Sequence, residues 1–146
     1  MLVLIQYATQ NIALFCAALY AGSVVYVTLV EHPTITAGGA KLADAYLLFA
    51  HPRPLVMQTA FGLAGAVSAI LAGVCGGSPW WLAGGTLLGA AAALHVSVVT
   101  PLTRQCVHAS QRGVRAPFDR LTRLHAGLAL AGLLALSLFI LSAYGR

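Results

Sequence analysis

Three long stretches of the chain carry no charged side chain: residues 2–30, 54–103 and 124–145. A helix needs roughly 20 apolar residues to cross the hydrocarbon core of a bilayer, so the first and last stretches hold one span each and the middle one holds two. The middle stretch is interrupted by Gly76, Gly77, Ser78 and Pro79. These residue types stop one helix and start the next, which predicts a tight hairpin. The spans fall near 8–31, 54–75, 80–102 and 121–143. Open sheet edges cannot satisfy their backbone groups in lipid. The predicted fold is therefore all-α: an integral membrane four-helix bundle with antiparallel, up-and-down spans, forming one transmembrane domain over 1–146.

The first connection contains Pro33, Gly38, Gly39, Pro52 and Pro54. Proline removes a backbone donor and clashes with the preceding turn, so Pro33 is expected to end the first helix. Between these breakers, residues 41–49 suit a short interfacial helix that presents Tyr46, Leu47 and Phe49. The third connection, 104–119, is polar and basic, and Pro117 suits the first turn of the last helix. Within the spans, small residues recur at Ala17, Ala18, Ala21 and Gly22, at Gly62 and Gly65, at Gly85 and Gly89, and at Gly127 and Gly132. Helices in lipid associate through such close packing, so the bundle should be tight. The stripes identify no dimer face, and homo-oligomerisation stays open.

Composition agrees with this architecture: 60% of residues are hydrophobic and 8% charged, against about 25% charged in soluble domains. Lys41, Arg53, Arg104, Arg112, Arg115, Arg120 and Arg123 all fall in the first and third connections. By the positive-inside rule those connections are cytoplasmic, and both termini point out of a cell (inner) membrane. The net charge of +5 is then a topology signal that also suits anionic headgroups. Without an aromatic-interleaved basic patch, nucleic acid is not an expected partner. The N-terminal run is too long for the apolar core of a cleavable signal peptide, so it is expected to stay attached. Cys16, Cys75 and Cys106 fit neither a disulfide framework nor a zinc knuckle and read as packing residues. Trp80, Trp81, Tyr144 and Tyr7 read as the outer aromatic belt.

Chemistry concentrates at the basic end. His32 ends the first span, His51 precedes the second, His95 lies inside the third, His108 is in the loop and His125 is inside the fourth. Ionisable residues inside membrane helices usually face the bundle interior, which singles out His95 and His125. At ~1.5 Å per residue, His95 lies about 13 Å inward of Arg104 and His125 about 12 Å inward of Pro117, so the two meet at one level. His125 shares a face with Ala129 and Gly132, and His95 with Ala91 and Leu88, small neighbours that leave room for a ligand. His32 falls on a stripe with Thr28, Val25, Ala21 and Ala18, with Glu31 beside it.

Glu31, His32, His95, His125 and nearby arginines, Arg104 above all, can therefore surround one pocket. Three chemistries fit. The carboxylate and imidazoles suit iron, copper or another transition metal; paired histidines suit haem; an imidazole base with an arginine at the oxyanion needs no cofactor at all. Two blander roles compete: His32 and Glu31 as a polar helix end at headgroup level, and His95 as a structural hydrogen-bonding partner. A small transporter is disfavoured, because proton-coupled ones keep a carboxylate deep in a span and here none lies within an apolar stretch.

The run Leu19, Tyr20, Ala21, Gly22, Ser23 and the sequence Val30, Glu31, His32, Pro33 resemble the small four-span bacterial membrane proteins related to the fungal anthrone oxygenases. Val99 to Arg104, closing the third helix, and Leu124 with His125, opening the fourth, match in the same order, so the likeness runs over nearly the whole chain. It implies a membrane oxygenase that converts an anthrone-type CH2 to a carbonyl with O2, and it carries Glu31, His32, Pro101, Arg104 and His125 as the matching residues. The sequence departs from the family at Leu121 and Leu128, where tryptophan and arginine are common, and at His95. The missing arginine points away from anthrone itself, and the added histidine points toward a metal or haem variant. The expected function is an oxygenase or oxidase for a small apolar or aromatic molecule, with a non-catalytic metal or haem carrier as the alternative. The chain has no nucleotide-binding signature of its own, which leaves room for a redox partner.

Overall fold

The computed structural model describes residues 1–46, 52–111 and 118–144. In chain order the elements are α1 (Leu2–Tyr26), a π-helical stretch (Val27–Glu31), α2 (His32–Ala45), α3 (Pro52–Val74), α4 (Pro79–Leu94), a second π-helical stretch (His95–Val99), α5 (Thr100–Gln111) and α6 (Phe118–Tyr144). Four continuous helical segments are long and apolar enough to cross a membrane: Leu2–Gly39, Pro54–Val74, Pro79–Ala109 and Phe118–Tyr144. α1 packs against α3 and α6, and α4 packs against the same two, which closes the four-helix bundle. The predicted hairpin forms: Ser78 caps α4 by accepting from the Trp80 N–H, and Pro79 takes the first helical position, where its missing donor costs nothing.

The first and third spans are longer than their proline content suggests. Pro33 and Pro101 each continue a helix, and each stands two residues beyond a π-helical stretch. There the His32 N–H reaches the Val27 carbonyl, and the Thr100 N–H the His95 carbonyl, one residue farther back than in an α-helix. The widened turn makes room for the proline ring, so the helix runs on. The first break comes instead at Gly39, with φ 76° and ψ −175°, a backbone conformation that belongs almost solely to glycine. The helix predicted over 41–49 is thus the tail of α2 as far as Ala45, and residues 47–49 lie outside the described residues.

Packing at the bundle centre turns on Tyr20, which is fully buried. A Cβ at Gly62 would lie 2.9 Å from the Ala92 Cβ and 3.3 Å from the Tyr20 ring; one at Gly132 would lie 2.9 Å from the opposite ring edge. Two missing side chains therefore admit one phenol across the interface. The space expected beside His125 at Gly132 is filled by this ring rather than left for a ligand. The aromatic belt also needs one correction. Trp80, Tyr144 and Tyr7 are exposed, but Trp81 is fully buried and stacks on Phe139 at 4.9 Å and 15°. Cys16 and Cys106 are buried, Cys75 is half-buried, and all three are free thiols.

Candidate functional site

Along α1 the buried positions run Ala13, Ala17, Tyr20, Val24 and Val27, with the spacing of one helical face. The next buried side chain is His32, five residues on, a step that would leave the face of a regular α-helix. The π-helical turn at Val27–Glu31 absorbs the extra residue and brings the imidazole back to the interior. His32 therefore continues the stripe of Tyr20, Val24 and Val27. The straight-helix stripe of Thr28, Val25, Ala21 and Ala18 does not describe its position. His95 opens the second π-helical stretch, beside buried Leu88, Ala91 and Ala92. His125 reaches the interior from α6 on the face of Ala129 and Gly132.

The three rings meet. His32 and His125 lie 4.9 Å apart between centroids at 76°, and His95 and His125 lie 5.7 Å apart at 89°. His32 and His95 thus both abut His125, each edge to face. All three are at most 2% exposed. The His32 Nδ1 is hydrogen-bonded to Thr122 Oγ1 at 2.9 Å, a bond between the first and fourth spans. The His125 Nδ1–H donates to the Leu121 carbonyl at 3.1 Å. Neither ring nitrogen of His95, nor Nε2 of His32, nor Nε2 of Gln58 has a hydrogen-bond partner among the described residues. Each such buried group carries a penalty of about 1–3 kcal/mol. Gln58 is 1% exposed and sits one turn from Gly62, as His95 sits one turn from Ala92, so the two belong to one level of the bundle.

The other expected site residues are placed differently. Glu31 is half-buried, and its carboxylate accepts the Tyr46 hydroxyl. Burial first, and Glu31 after it, push that hydroxyl above the ordinary tyrosine range. Consecutive helical residues point in different directions, which is why Glu31 faces Tyr46 while His32 faces the bundle. Arg104 is exposed on α5. Arg123 is exposed too, but it lines a cleft that reaches His32. An open cleft of about 690 Å³ is lined by His32, Pro33, Thr36, Asp119, Thr122 and Arg123. Pro101 lines a smaller cavity of about 150 Å³ with Arg120. His108 is exposed, and His51, Arg112, Arg115, Pro117 and Arg146 lie outside the described residues. Among the described residues, no three or more His, Cys, Asp or Glu side chains are arranged to hold a metal ion.

Sequence reasoning missed Thr122, Arg123 and Gln58 as parts of this region. Gln58 had a signal, a lone amide within an apolar span, which the cost of burying it makes informative. Thr122 and Arg123 had none beyond their closeness to His125, since the pairing of Thr122 with His32 depends on how the spans dock.

The fold and the site define a multi-pass, all-α membrane protein whose four-helix interior holds three touching imidazoles beside an open cleft that His32 lines. No family model, curated protein or solved structure matches the chain.

Proposed function

We propose that this protein is a membrane-embedded oxygenase acting on a small apolar or aromatic carbon acid, the activity that its likeness to the anthrone oxygenases implies. The observation that carries this reading is that His32, whose imidazole is bonded to Thr122, and Arg123 line one cleft. In the tautomer whose Nδ1–H donates to Thr122, the His32 Nε2, a buried atom, bears the lone pair of a general base once the substrate enters the histidine layer. It takes a proton from an activated CH2, and Arg123 stabilises the enolate oxygen that results. The enolate reduces O2 and forms a C–O bond, giving a hydroperoxide once the proton returns; loss of water then leaves the carbonyl. The sum is CH2 plus O2 to C=O plus H2O, with no outside reductant. By this reading the cleft faces the cytoplasm, in keeping with the basic connections.

The test is oxygen uptake by purified protein in lipid nanodiscs with a panel of small apolar and aromatic carbon acids, anthrone among them. Wild type should consume one O2 per carbonyl formed, and His32→Ala should lose most of the rate. Uptake equal to that of empty discs across the panel would defeat the proposal.

A second reading is favoured by His95, whose two ring nitrogens lack partners in a dry interior. That environment suits an imidazole that ligates a metal or haem. Since the described side chains form no ligand set, rings must turn for this to happen. Metal analysis and an absorption spectrum of anaerobically purified protein separate the readings: a stoichiometric metal or a Soret band lost in His95→Leu supports the second.

A further inference from the structure

Between α4 and α6, on the outer surface of two spans, lies an apolar groove of about 300 Å³ whose lining includes Leu94, Leu124, Gly127, Ala131 and Arg123. Its size is at the lower end of the range of ~300–1,000 Å³ for small-molecule sites, enough for one compact molecule and too little for a whole phospholipid. Two features distinguish it from an ordinary furrow between helices. At Gly127 a Cβ would meet nothing within 4 Å, so this glycine keeps the groove open and is not required by any helix contact. Arg123 lines both the groove and the cleft beside His32, so one cationic side chain borders the two. Among the described residues it forms no ion pair, and no other charged side chain lines the groove.

We propose that this groove binds, from the lipid phase, a compact amphiphile with an apolar body and a single anionic group, which Arg123 holds. The apolar walls take that body. The guanidinium, at the edge of a low-dielectric surface and forming no ion pair among the described residues, takes the charge. Resting on the oxygenase reading, this names its substrate class and its route: the molecule slides from lipid along α4 and α6 and swings its anionic end past Arg123 to His32. The binding itself needs no turnover.

The experiment is fluorescence titration of 9-anthracenecarboxylate into the full-length protein in nanodiscs of zwitterionic lipid, against empty discs. Wild type should show saturable binding. Gly127→Leu, which fills open space and raises helix propensity, should weaken it about tenfold or more, and Arg123→Gln should do the same. Uncharged anthracene should lose its binding with Gly127→Leu and keep it with Arg123→Gln. Binding is read without O2 uptake, so saturable binding with no turnover sinks the oxygenase reading and leaves this proposal standing. Equal binding in wild type, Gly127→Leu and Arg123→Gln means partition into lipid alone and overturns the proposal. So does loss of binding in discs rich in anionic phospholipid, which would make a lipid headgroup the occupant of Arg123.

Discussion

His95 and His125 meet edge to face at 5.7 Å in a fully buried layer, yet the two rings are held by different means. His125 donates to a backbone carbonyl on its own helix, whereas His95 has no hydrogen-bond partner among the described residues. A buried polar group without a partner weakens a fold, and an apolar replacement of similar volume removes the penalty. His95→Leu should therefore leave the melting temperature in detergent unchanged or raised. If His95 belongs to the functional layer, activity falls steeply in the same variant. A protein that both melts earlier and keeps its turnover would show His95 to be structural.

Thr122 and His32 pair across the first and fourth spans, which lie far apart in the chain and pack side by side in the bundle. Interhelical hydrogen bonds in membrane proteins contribute about 0.6 kcal/mol on average, so Thr122→Val should destabilise little. Its effect on activity should be larger, because the bond holds the His32 ring in its orientation beside the cleft. Thr122→Ser, which keeps the hydroxyl, should restore both the rate and its pH profile. A flat profile across all three forms would remove Thr122 from the site.

The two arginines make opposite forecasts. Both are exposed, but Arg123 lines the cleft beside His32 and Arg104 does not. Removing a donor to a developing oxyanion costs on the order of 10²–10³ in rate. Arg123→Gln should show that loss in oxygen uptake, while Arg104→Gln should stay within a few-fold of wild type. The reverse order would return the oxyanion role to Arg104, the residue that the motif matched.

Gly39 turns the chain with φ 76° and ψ −175°. A side chain there meets no neighbour, so the penalty is purely conformational, about 1–3 kcal/mol for a residue forced into such a region. Gly39→Ala should lower stability by that amount. Gly22→Ala, in regular helix and equally open, should be neutral or stabilising by up to ~1 kcal/mol. Thermal melts of the two variants side by side provide the check.

Topology follows from charge alone: with basic residues in the first and third connections, the hairpin at Ser78 should face away from the cytoplasm. In Ser78→Cys with the native cysteines replaced, an impermeant thiol reagent added to intact cells should label the position. Protection until the cells are opened would invert the protein.

The sequence by itself determined the number of spans, the hairpin at Gly76 to Pro79, and the inward placement of His95 and His125. Each follows from a local cost: a charge in hydrocarbon, a helix without a cap, an imidazole facing lipid. The tertiary structure decided the rest. Pro33 and Pro101 read as helix ends, but π-helical turns before them carry the helices through, and the first of these turns rotates His32 onto the face that meets His125. Trp81 reads as a belt residue until Phe139 stacks on it. Glu31 and Arg104 read as site groups by proximity along the chain, whereas Tyr46 engages the first and the second does not line the cleft beside His32. Thr122 and Arg123 enter because α6 docks beside the first span. Partition into lipid is a sum over residues and can be read one stretch at a time. Which side chains touch depends on rotation and register between helices, and a single added residue in a turn resets both.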